Sequence, residues 1–159
     1  MQNESIWADG CPENVLEEDK LQQMDLLRMG INFVIEKCLL PNGFKIEKVA
    51  DKLNELPNIV AKRNNSIYGI AVVSSVFPTV LKLNDDIRVQ YAKMCEEHKM
   101  IPLYAPVGFR SIDEARANAS MTLKGDLFKT SFVGFIKLTT DPNQDVTIVP
   151  EHIYQFGKN

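Results

Sequence analysis

Apolar residues recur at helical spacing early in the chain and then fall into short β-branched runs, which predicts one long helix followed by strands. Leu21, Met24, Leu27, Ile31, Val34, Ile35 and Cys38 make one stripe of a helix from about Asp19 to Leu40, stopped by Pro41-Asn42-Gly43. Phe44 to Val49 reads as a strand whose alternation breaks at Lys48. Asp51 to Glu55 is a connection with room for one helical turn. Asn58 to Lys62 is the next strand, and Arg63-Asn64-Asn65-Ser66 is a hairpin turn, because asparagine tolerates positive φ. Ile67 to Val73 is almost continuously apolar, as expected of a central strand covered on both faces.

Ser74 to Leu83, with Pro78 inside it, reads as a crossover loop. Asn84 suits a helix N-cap, with Asp85 and Asp86 in the first turn, and the helix is expected to bury Ile87, Tyr91, Met94, Cys95 and His98. Ile101 to Val107 is a strand interrupted by Pro102 and Pro106, so it is expected to face an edge or cleft on its N–H side. A capping-box pattern from Ser111 to Glu114 predicts a short helix to about Met121. Phe128 to Leu138 reads as one long strand containing Gly134, and Val146 to Val149 as an edge strand. This order predicts an α/β fold, a mixed sheet flanked by helices with a right-handed strand–helix–strand crossover.

The 159 residues are one domain's worth, with ordinary apolar and charged fractions of 45% and 25%. Residues 1–18 lack a sustained period and read as an acidic arm, 19–150 as the domain and 151–159 as a tail. No run approaches the ~18 apolar residues of a membrane span, so no membrane partner is expected. The start of the chain has neither the basic residues nor the apolar run of a signal peptide. Three widely spaced cysteines, Cys11, Cys38 and Cys95, fit a reducing compartment, and the cytoplasm is the expected location. Residues 1–20 carry six acids against Lys20, while the rest of the chain carries 17 bases and 15 acids. The arm reads as a solvated lead-in or as a cover for a weakly basic body; neither matches the basic stripe of a dedicated nucleic-acid binder.

Two short elements carry the chemical argument. Pro57-Asn58 opens the second strand, and Ile70-Ala71-Val72-Val73 lies across a turn on the third. Their separation and the element order resemble the PD-(D/E)xK superfamily of restriction-endonuclease-like nucleases, roughly from Gln22 to Leu138. The resemblance implies a Pro-Asp at the first element and Glu-x-Lys at the second. Here Asn58, Ala71 and Val73 stand at those three positions. Such nucleases hold Mg²⁺, which needs hard oxygen ligands, between two carboxylates, so the degenerate triad implies a domain without that catalysis and without a metal or cofactor.

Relocated ligands compete with plainer roles: Glu36, Asp51 and Glu55 as solvated side chains, Asp85 and Asp86 as capping charges, and Lys62 as a surface lysine or a cation near the old site. No pair of these carboxylates has a defensible spacing. His98 reads as a core histidine, and no zinc, nucleotide-loop or nucleophile-elbow motif is present. Tyr104, Phe109 and Arg110, within seven residues, could stack on bases or fill a protein pocket, against the plainer role of half-buried strand aromatics. The expected function is therefore an inactive nuclease-like interaction module, binding an unknown protein or itself. The alternatives are a nucleic-acid binder that lost cleavage, supported by Lys45, Lys48, Lys52, Lys62 and Arg63, and a nuclease with relocated ligands.

Overall fold

The computed structural model describes residues 21–50, 52, 55–77, 81–112 and 127–148. Helix α1 spans Gln23–Phe33, its start satisfied by Asp25, whose carboxylate accepts from the Gln22 N–H at 2.9 Å. The helical stripe does not continue as one α-helix to Leu40. It widens into a π-helical segment, Val34–Leu39, and tightens into a 3-10 turn, Leu40–Asn42. Gly43 then takes φ 82°, which a residue without a Cβ adopts freely.

Strands β1 (Lys45–Val49), β2 (Ile59–Arg63) and β3 (Ser66–Val76) form an antiparallel meander. The broken alternation at Lys48 is a register shift: Ile46 faces Ala61 and Lys48 faces Val60, so Glu47 is an extra residue. Asn64, at φ 56°, makes the β2–β3 turn as its side chain allows. β3 runs three residues further than its apolar run suggests. Helix α2 (Asp85–Glu97) follows, capped by Asn84, whose side-chain oxygen accepts from the Ile87 N–H at 2.9 Å. It leads to β4 (Ile101–Ser111), parallel to β3 from Tyr68–Ile101 to Val76–Phe109.

The expected long strand from Phe128 is two strands, β5 (Phe128–Ser131) and β6 (Phe135–Lys137), because Gly134 at φ 148° turns the chain between them. β7 (Val146–Ile148) pairs with β6. The molecule is mixed α/β, a seven-stranded sheet in the order β1-β2-β3-β4-β6-β7 with β5 also on β4, and two α-helices among the described residues. No described helix is long and apolar enough to cross a membrane. The arm, the helix expected after Ser111 and the tail lie outside the described residues.

β4 corrects the expectation of an edge strand: it lies between β3 and the β5/β6 strands. Its prolines are tolerated for a geometric reason. The Pro102 carbonyl accepts from the Leu138 N–H at 3.0 Å, so the even residues of β4 direct their backbone groups away from β3. Pro106 therefore lacks an N–H where β6 has ended and β5 has not begun.

The sheet divides two cores by strand alternation. Tyr68, Ile70, Val72, Leu103 and Ala105 pack against Leu27, Ile31 and Val34 of the first helix. Ala71, Tyr104 and Leu138 pack against Tyr91, Ala92 and Cys95 of α2. Ile87 and His98 are exposed, against expectation, because the buried stripe of α2 is Tyr91, Ala92 and Cys95.

Candidate functional site

Asn58 stands just before β2, buried at 2% exposure, and all of its side chain is engaged. Its Oδ1 accepts from the Val72 N–H at 2.7 Å, extending the β2–β3 pairing beyond the last ladder pair. Its Nδ2 donates to the carbonyls of Ala50 and Glu55, at 3.4 and 3.3 Å, fastening the connection that follows β1. Its backbone donates to the Ile70 carbonyl at 2.9 Å and accepts from the Ala50 N–H at 2.7 Å. Only an amide satisfies this set. A carboxylate would bring negative charge against two carbonyl oxygens and lose both donors.

Ala71 is wholly buried under α2, between Tyr91 and Tyr104, and Val73 is half-buried on the same side. A cavity of about 530 Å³ adjoins them, lined by Leu26, Leu27, Asn58, Val73, Ser74 and Leu83. Its charged lining is Lys52, Glu55 and Lys82. One carboxylate faces two lysines there, and the oxygen of Asn58 is already committed. This donor set does not fit the divalent metal that the nuclease resemblance implies. Among the described residues, no cluster of three or more His, Cys, Asp and Glu side chains could hold a metal ion.

The other carboxylates stay apart. Glu36 is exposed on the π-helical segment, Asp85 and Asp86 are exposed in the first turn of α2, and Asp51 lies outside the described residues. Lys62 is exposed on β2, opposite Lys45 in register, at the far end of the sheet from Arg110.

Tyr104, Phe109 and Arg110 do not form one patch, because alternation separates them. Tyr104 is buried on the α2 side, with the Arg88 guanidinium 5.5 Å from its ring centroid and its hydroxyl accepting from the Leu83 N–H at 3.4 Å. Burial raises its pKa above the ordinary tyrosine value, with the Leu83 hydrogen bond and the Arg88 charge working against the rise. Phe109 faces the α1 side, edge-on to Phe128 at 6.1 Å. Arg110 shares the Tyr104 side but lies six residues beyond it, about 20 Å along the strand. Its guanidinium covers the Phe77 ring at 4.0 Å.

The α2 side also holds a buried thiol and phenol, over Gly69. A Cβ on that glycine would meet the Tyr91 hydroxyl at 3.0 Å and the Cys95 sulfur at 3.1 Å. Burial lifts Cys95 from 9.0 to about 11, against a lowering contact from Tyr91. Burial, then the neighbouring Cys95, holds Tyr91 well above the ordinary tyrosine value. Both groups are protonated at neutral pH, which suits packing and not nucleophilic chemistry.

Phe77, Lys129 and Ser131, which the sequence pattern did not single out, gather with Arg110 around a second cavity. Only cross-strand register brings them together, which is long-range information. Residues 24–138 match the family model described as "Domain of unknown function (DUF8840)". No curated protein and no solved structure matches the chain.

Proposed function

We propose that this chain, which belongs to the DUF8840 family, is a restriction-endonuclease-like domain that binds a partner and does not cut nucleic acid. The fold-level support is the order of elements: a helix, a three-stranded antiparallel meander, a second helix, and a strand returning parallel to β3 with the helices on opposite faces. That likeness is one of architecture and carries no activity by itself.

One observation carries the functional half: the Asn58 side chain is spent on three hydrogen bonds inside the fold. Where the nuclease motif needs a metal-binding carboxylate, this position instead joins β2, β3 and the preceding connection. Ala71 and Val73 complete the change, since neither offers a ligand or a charge. Loss of catalysis leaves binding, by another protein or a second copy, as the role of the domain.

The test is incubation of the full chain with single- and double-stranded DNA and RNA, in Mg²⁺ or Mn²⁺, with thermal melting run alongside. Intact substrates and a melting temperature unmoved by either ion are expected. Metal-dependent cleavage that follows the protein through purification would overturn the reading.

A further inference from the structure

β3 outlasts its neighbour on one side. β2 begins at Ile59, opposite Ile70, whereas β3 continues to Val76. The Ile70 carbonyl accepts from the Asn58 N–H, and the Val72 N–H donates to the Asn58 side chain, so the even residues of β3 turn their backbone groups toward this edge. The odd ones turn toward β4, and the Phe77 N–H, next in that series, donates to the Phe109 carbonyl at 2.8 Å. Past Asn58 the edge therefore presents, in order, the Val72 carbonyl, the Ser74 N–H and the Ser74 carbonyl. Among the described residues no strand pairs with them.

Val72 and Ser74 both line the cavity of about 530 Å³. Ser74 is only 7% exposed, and buried main-chain groups in folded proteins are almost always paired. A carboxylate or phosphate does not complete this edge, since it would lie against two carbonyl oxygens. A peptide backbone does, because each residue brings one N–H and one C=O. The walls suit an extended chain as well. Leu26 and Leu27 belong to the α1 face and Val73 and Leu83 to the α2 face, so alternate side chains of an added strand each meet an apolar wall. Ile87, at 40% exposure, continues this lining into solvent. Among the charged side chains of the cavity, all exposed, Lys52 and Lys82 outnumber Glu55, which favours acidic residues in the occupant.

We propose that this edge is a docking site for an acidic extended segment of another protein, which adds to β3 as a short strand where β2 stops. It deepens the reading of a partner-binding domain and rests on it. Asn58 already makes the first contact of this kind, its side-chain amide standing where the backbone of a pairing strand would be.

The experiment selects peptides from a displayed random library against the full chain, then measures the affinity of the enriched peptides, made synthetically, by fluorescence anisotropy. Acidic sequences with alternating apolar residues are expected to emerge. N-methylation of such a peptide, one residue at a time, should abolish binding at alternate positions and be tolerated between them, since only every second N–H of a strand points to the same neighbour. Lys52→Glu combined with Lys82→Glu changes two exposed side chains and should weaken the peptide roughly tenfold. Failure to enrich any sequence, enrichment of basic ones, N-methylation tolerated throughout, or affinity unchanged in the double lysine variant overturns the proposal. A dimer in sedimentation that Ile87→Asp breaks would give the edge to a second copy and overturn the choice of another protein. The same samples are incubated with labelled single-stranded DNA and Mg²⁺. Cut DNA would overturn the non-cleaving reading whatever the peptides do, whereas intact DNA with no peptide enriched overturns the docking site alone.

Discussion

Asn58 cannot serve a metal, because its oxygen accepts from β3 and both hydrogen bonds donated by its amide hold the connection that follows β1. Asn58→Asp is therefore expected to cost about 3 kcal/mol, from two unmade bonds and a buried carboxylate beside carbonyls. Urea unfolding checks this, and a variant as stable as wild type would show that the amide is dispensable. The sequence singled out Asn58 but not its hydrogen bonds, since its partners are backbone groups that no pattern of side chains reveals. Cys95 supports a second prediction. Burial raises its thiol from 9.0 to about 11, so above pH 9 the folded chain keeps a proton that the unfolded chain releases. Stability is then whole below about pH 9 and falls as pH climbs toward 11. Tyr91, raised in the same direction, extends the loss to higher pH. Melting temperature should drop across that window and drop less in Cys95→Ala.

Between elements, α1 comes close to β3 at Gly30. A Cβ there would overlap the Ser74 Oγ. Glycine in a helix ordinarily costs up to about 1 kcal/mol relative to alanine. Here Gly30→Ala should instead destabilise by about 1–3 kcal/mol, since the helix must lift from the strand. The Ser74 Oγ is buried without a hydrogen-bond partner among the described residues, so Ser74→Ala alone should be neutral or stabilising. Combined with Gly30→Ala it should recover most of the loss, and a double-mutant cycle by thermal unfolding measures that coupling. Features set by neighbours in sequence were legible: the Asn84 cap, the Asn64 turn and the break at Lys48 that proves to be a bulge. The place of β4 was not. Its prolines suggested an edge, whereas the requirement is only that their missing N–H groups face a side where no partner needs them. Nor was the grouping of Tyr104 with Phe109 and Arg110 sound, because residues close in a strand are sent to opposite faces.

Across the whole molecule, the three positions at which the proposed nuclease likeness would need Asp, Glu and Lys are parts of the packed fold: Asn58 and Ala71 are buried and Val73 is half-buried. Ala71 has no exposure and is enclosed by Tyr91, Ala92, Cys95 and Tyr104, so a glutamate there must bury a charge or displace α2. Asn58→Asp adds a second carboxylate within the same junction, and Val73→Lys a cation on the face that packs beside Ala71. The three penalties together reach the ~5–15 kcal/mol that holds a domain of this size folded. The triple variant Asn58→Asp, Ala71→Glu, Val73→Lys is therefore expected to lose its cooperative melting transition and its near-ultraviolet circular dichroism, and to gain no cleavage. A cooperatively folded triple variant whose melting temperature rises with Mg²⁺ would show that the site had kept the shape of a metal centre, and that catalysis here was lost by three substitutions alone. The expected result follows from packing. α2 lies on β3 at Ala71, so the fold derives stability from the positions at which the proposed likeness would put the reaction.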